Sequence, residues 1–119
     1  MALHIAEIVF DCTDPRPVAA FWAVALAYEI AADRGDWIVL RAPGGAGPWL
    51  AFDTVPEHKV VKNRVHLDLM PTEGDTMETE VARLAKLGAT AVRLVTNEPD
   101  EMHTIMRDPG GNEFCVLRP

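Results

Sequence analysis

The two halves of this chain repeat one another. Glu7 and His66 lie 59 residues apart, half of a 119-residue chain, and the same order of elements starts at each. In the first half, Val9 to Cys12 reads as a strand, with Ile8, Phe10 and Cys12 alternating against Glu7, Val9 and Asp11. Asp14 is placed to cap a helix whose first turn tolerates Pro15 and Pro17, and whose apolar residues run through Val18, Phe21, Trp22, Ala25 and Leu26. Strand candidates follow at Tyr28–Ala31, Trp37–Arg41 and Trp49–Thr54, punctuated by Gly35, Pro43-Gly44-Gly45 and Gly47-Pro48. The second half opens with a strand over Arg64–Leu69, alternating Val65, Leu67 and Leu69 against Arg64, His66 and Asp68. A helix from about Asp75 to Leu87 has Met77, Val81 and Leu84 on one face, acids Glu78 and Glu80 early, Lys86 late and Gly88 beyond. Three strands, Thr90–Val95, Met102–Arg107 and Glu113–Leu117, complete it. The halves also echo in detail: Trp37–Arg41 (WIVLR) resembles His103–Arg107 (HTIMR), and Pro-Gly-Gly follows each, at Pro43 and Pro109.

Composition narrows the function classes. Apolar residues make up 49% and charged residues 24%, enough apolar surface to offset chain entropy in a folded domain. The longest uncharged stretch, Pro17 to Tyr28, is too short for a membrane span, which needs about 18–20 apolar residues. Eighteen acids against eleven bases give a net charge of −7, a field that repels phosphate backbones and argues against nucleic-acid binding. Met1 to Glu7 has no basic region or apolar core like a signal peptide's, so a cytoplasmic protein is expected. Two cysteines, Cys12 and Cys115, make no disulfide framework.

The stretches Asp11-Cys-Thr-Asp-Pro15, Phe21-Trp22 and Leu26-Ala-Tyr28, then Lys62-Asn-Arg-Val-His-Leu-Asp68 and Asp108-Pro-Gly-Gly-Asn-Glu-Phe-Cys115, resemble the glyoxalase, bleomycin-resistance and dioxygenase superfamily of vicinal oxygen chelate proteins. The likeness covers nearly the whole chain and is strongest to a compact glyoxalase-like branch. It implies a single α+β domain over residues 1–119, built from two βαβββ modules at about 1–57 and 58–119. Their strands form a curved mixed sheet around a cavity, with helices on the outer face. Alternation then sends Ile8, Phe10 and Cys12, and Val65, Leu67 and Leu69, to the helices. Glu7, Val9 and Asp11, with Arg64, His66 and Asp68, face the cavity. Phe114 and Val116 pack outward, with Glu113, Cys115 and Leu117 inward, so that Cys12 and Cys115 occupy opposite sheet faces. Ala27 departs from the pattern: the family usually has Gly after the first helix, so a different helix end is expected.

Enzymes of this superfamily typically hold a divalent metal on one side chain from each of the first, fourth, fifth and eighth strands, and the metal polarises vicinal oxygens of the substrate. Carried over one position at a time, these fall on Glu7, Ala51, His66 and Cys115. Alanine cannot ligate, and Asp53, on the same face, sits about 6–7 Å further along. Glu7, His66 and Cys115 remain as metal candidates, suited to Zn, Ni, Fe or Mn. An apolar, acidic surrounding resists ionisation of the Cys115 thiol and weakens it as a ligand. Without metal, Glu7 and His66 would either act as an acid–base pair or hydrogen-bond each other or Arg64. Asp68 or Asp11 would then neutralise Arg64. The Pro43–Pro48 loop lacks the Lys and helix of a phosphate cradle and is expected to be a flexible rim. His4 and His58 are expected at the surface, and Phe21 and Trp22 in the core.

Two functional readings follow. The leading one is a small-molecule-binding protein without a complete catalytic metal site, in which the acidic charge and Trp37 and Trp49 suit a planar or cationic ligand. Asp11, Asp53, Arg64, Asp68, His103 and Glu113 are the further ligand-binding candidates. The alternative is a metal-dependent lyase, isomerase or dioxygenase of the glyoxalase type, with Glu7 and His66 as its catalytic residues. The resemblance also implies a homodimer.

Overall fold

The structure, a computed structural model, describes residues 1–98 and 101–119. The chain divides between His58 and Lys59 into two units, each built in the order β-α-β-β-β, so the duplication read in the sequence is a duplication of fold.

In the first unit, β1 (Glu7–Cys12) leads into α1 (Pro15–Leu26), then β2 (Glu29–Asp33), β3 (Trp37–Arg41) and β4 (Trp49–Thr54). The four strands form one mixed sheet in the order β1-β4-β3-β2, with β1 parallel to β4 and the others antiparallel. Asp14 caps α1 by accepting from the Arg16 N–H at 3.2 Å, as its position predicts. The helix lays Val18, Ala19, Phe21 and Trp22 on the sheet, and Phe10 packs between Trp22 and Phe52 at ring separations of 5.7 and 5.0 Å. This sorts β1 as alternation requires: Ile8, Phe10 and Cys12 are the less exposed set and Glu7, Val9 and Asp11 are exposed. The end of α1 does not change for lack of glycine. Ala27 adopts the left-handed conformation itself (φ 55°), and the Tyr28 N–H still closes onto the Ala23 carbonyl at 2.9 Å. The Pro43–Gly45 segment is a short 3-10 turn.

In the second unit, β5 (Asp68–Leu69), α2 (Met77–Lys86), β6 (Thr90–Glu98), β7 (Glu101–Arg107) and β8 (Glu113–Leu117) give a sheet of order β5-β8-β7-β6, again with the first strand parallel to the last. Thr76 caps α2 by accepting from the Thr79 N–H at 3.1 Å, with Glu78 and Glu80 in the first turn and Arg83 and Lys86 in the last, each favourable to the helix dipole. Met77 and Leu84 are buried, and Met77 sulfur accepts from the Thr104 hydroxyl at 3.4 Å. With Thr104 paired to Val116 and Met106 to Phe114, these four residues form the helix-facing layer.

The strand expected over Arg64–Leu69 is a correction: only Asp68 and Leu69 pair, and Val65, expected to pack against a helix, is 80% exposed. The chain bends at Arg64 and Val65, just past Asn63, whose N–H donates to Glu113 on β8. His4 and His58 are exposed and Phe21 and Trp22 buried, as expected. Among the described residues, no helix is long and apolar enough to cross a membrane.

Candidate functional site

The richest chemistry lies on the face of the second sheet away from α2. Alternation along β8 turns Phe114 and Val116 to the helix and leaves Glu113, Cys115 and Leu117 on the other side. Parallel pairing sets Asp68 beside Cys115, anchored by the Cys115 N–H donating to the Leu67 carbonyl at 2.9 Å. Just ahead of β5, His66 Nε2 reaches Asp68 Oδ1 at 3.1 Å. One nitrogen, one oxygen and one sulfur donor, from His66, Asp68 and Cys115, thus lie within 4.8 Å of one another. His66 and Asp68 are half-exposed, and Cys115 is a buried free thiol. Burial pushes the Cys115 thiol up from its ordinary value; the charge of Asp68 and a hydrogen bond to it push the same way, with Lys62 partly opposing.

Such a set fits a divalent metal. Imidazole, carboxylate and thiolate are the three side-chain donor types that zinc and its neighbours accept, and three protein donors leave room for an oxygen ligand. Asp68 is the residue that sequence reasoning placed near the ligand but not among the metal donors. Its pairing with Cys115 becomes visible only through the parallel register. Asp68 also pairs with His66 rather than with Arg64, which is exposed.

One row along, Glu113 does different work. Its side chain is nearly buried, and its carboxylate accepts from Lys59 Nζ at 2.9 Å, the Asn63 N–H at 2.8 Å and Arg107 Nε at 3.4 Å. The Asn63 amide returns a hydrogen bond to the Glu113 carbonyl at 3.1 Å. Burial alone would raise this carboxyl, but the Asn63 N–H and the Lys59 ammonium outweigh it and hold it at about 2. Glu113 therefore clasps segment 59–63, the approach to His66, onto β8. Sequence reasoning missed Lys59 and Asn63, which lie in a stretch without periodic pattern. Asp108–Asn112 is a tight turn, with buried Asp108 accepting from the Gly110 and Asn112 N–H groups at 2.9 Å. His103 is half-buried and paired to Leu117, on the same side as Cys115.

The remaining expected residues belong to the first unit, on the sheet face away from α1. Asp11 pairs with Asp53 and Asp53 with Trp37, giving one row of two carboxylates and an indole. Glu7 is exposed and pairs with Trp49. Between these rows, Ala51 is buried against Val9 and Val39 and offers no donor. Arg34 lies 5.5 Å over the Trp37 ring, a cation already stacked on that indole.

The comparisons with known proteins agree with this architecture. The family described as "Glyoxalase-like domain" matches residues 7–117. No curated protein matches the chain in sequence. Among solved structures, the chain is similar to a variant of the genomically encoded fosfomycin resistance protein FosX from Listeria monocytogenes, complexed with Mn(II) and 1S,2S-dihydroxypropylphosphonic acid (TM-score 0.78, 13% identity, 98% of this chain and 90% of that one). It is similar also to FosX from Mesorhizobium loti (TM-score 0.75, 13% identity, 100% and 94%). A glyoxalase-related enzyme from Fulvimarina pelagi is a third (TM-score 0.73, 16% identity, 98% and 88%). At these identities the structures speak to fold alone. With a family match spanning nearly its full length and a doubled βαβββ fold to go with it, the chain belongs to the glyoxalase-like domain family.

Proposed function

We propose that this protein binds a small oxygenated molecule through one divalent cation seated on His66, Asp68 and Cys115. The observation that carries the reading is the convergence of three different donor types within 4.8 Å on one sheet face. His66 and Asp68, half-exposed, leave the seat accessible to a ligand, while Cys115 fixes its floor. A cation held there would act as a Lewis acid toward vicinal oxygens. The Mn(II) in the Listeria FosX structure belongs to that protein, and supports the reading only in that a protein of like fold holds a cation. Calorimetric titration of chelator-stripped protein with Zn(II) and Ni(II), wild type against His66→Ala and Asp68→Ala, is the test. One ion per chain, lost in both variants, is expected; no heat of binding in the wild type overturns the reading.

A second reading rests on the first unit. The paired carboxylates Asp11 and Asp53, in a chain of net charge −7, suit a cationic ligand bound without metal beside Trp37, whose ring already carries Arg34. Tryptophan quenching by such a ligand in the presence of chelator supports it, and no change across a broad cationic aromatic panel removes it. The homodimer implied by the resemblance is checked by sedimentation, where a species at the 13.1 kDa chain mass would count against it.

A further inference from the structure

Resting on the cation reading above, we infer that the Cys115 sulfur is itself a metal ligand, so that the centre selects zinc-class cations over manganese and magnesium. Cys115 is the fixed member of the triad: it lies on β8 between Phe114 and Val116, with its N–H tied to Leu67, and is 6% exposed. The other two donors sit on half-exposed side chains and can adjust to it.

The distances suit closure around a small ion. Donors bound to one tetrahedral zinc lie roughly 3.4–3.6 Å apart, from bond lengths of about 2.0–2.3 Å. His66 and Asp68 are already 3.1 Å apart, and the whole triad fits within 4.8 Å, so small side-chain rotations bring all three donors to one ion. Hard ions are served poorly by the same set. Magnesium demands six oxygen ligands in near-ideal octahedral geometry, and manganese favours carboxylate, carbonyl and water, whereas one donor in three here is sulfur. Zinc, cobalt and nickel accept nitrogen and sulfur together. As the sulfur–metal bond forms, the S–H bond breaks and its proton leaves to solvent, with no change of oxidation state; the ion's charge stabilises the buried thiolate.

Cobalt(II) reports the sulfur directly. Chelator-stripped wild-type protein titrated with Co(II) is expected to develop a sulfur-to-cobalt charge-transfer band in the near ultraviolet. One equivalent of Zn(II) should abolish it, and an about tenfold excess of Mn(II) should leave it intact. Cys115→Ser and Cys115→Ala are expected to lose the band with circular dichroism unchanged. Cys12→Ala should keep it, since Cys12 belongs to the helix-facing set of the first sheet. The Mn(II) competition needs no variant, so it decides the question even where a Cys115 substitution fails to fold. Mn(II) displacing cobalt as readily as Zn(II) overturns the inference and leaves the three-donor cation seat standing; cobalt bound without a charge-transfer band overturns the inference and removes Cys115 from the seat proposed above. No cobalt binding overturns both.

Discussion

Replacing Glu113 with Gln tests whether the clasp on segment 59–63 is electrostatic. Gln keeps the volume and one acceptor oxygen, so packing is preserved while the charge is removed. In the native protein the carboxyl falls from its ordinary 4.5 to about 2: burial opposes the drop, and the Asn63 N–H and Lys59 overcome it. A shift of this size corresponds to about 3 kcal/mol of pH-linked stability. Gln keeps an acceptor for one of these donors, which trims the expected loss to about 2 kcal/mol. For a chain of this size that lowers the melting temperature by roughly 6–10 °C. The sign follows from the depressed pKa. The stabilisation is fully present above the unfolded carboxyl's 4.5, and is lost as pH falls toward the folded value of about 2. Urea denaturation of both proteins from pH 7 to pH 3 should therefore show a gap that shrinks by more than half at the acid end. An unchanged midpoint at pH 7, or a gap that persists undiminished at pH 3, would refute the argument.

Two further outcomes follow from the fold. Ala27→Gly relieves a left-handed alanine at the end of α1 and should raise stability by about 1 kcal/mol in urea melts, whereas a loss would mean the alanine methyl matters more than backbone strain. Phe52→Ala empties a fully buried position stacked on Phe10 and should cost about 3–5 kcal/mol; a loss under about 1 kcal/mol would contradict the core described for the first unit.

Much of the architecture was legible because it rests on periodicity. Trp37–Arg41, Trp49–Thr54 and Glu113–Leu117 are strands at the bounds their alternation and flanking Gly and Pro suggest. Asp14 announced its cap by residue type. The failures have a common source in long-range contacts. Arg64–Leu69 alternates as strictly as any strand, yet only Asp68 and Leu69 join the ladder, and the segment before them is held to β8 by side-chain contacts from Glu113, fifty residues from Asn63. Lys59 and Asn63 carry no local signal of that role. For the candidate site, His66 and Cys115 were readable by resemblance. Asp68 joins them through a two-residue parallel pairing that no spacing in the sequence encodes. Ala27 shows the converse: a missing glycine suggested a different helix end, but the closing hydrogen bonds of α1 impose the left-handed conformation on alanine.

The proposed seat holds one divalent cation on His66, Asp68 and Cys115. Its most direct test is a crystal of the intact protein soaked in Zn(II), with anomalous scattering recorded on both sides of the zinc absorption edge. A single strong peak is expected within bonding distance of the His66 imidazole, the Asp68 carboxylate and the Cys115 sulfur. Zinc absent from these residues under saturating soak, or bound only elsewhere on the chain, would contradict it.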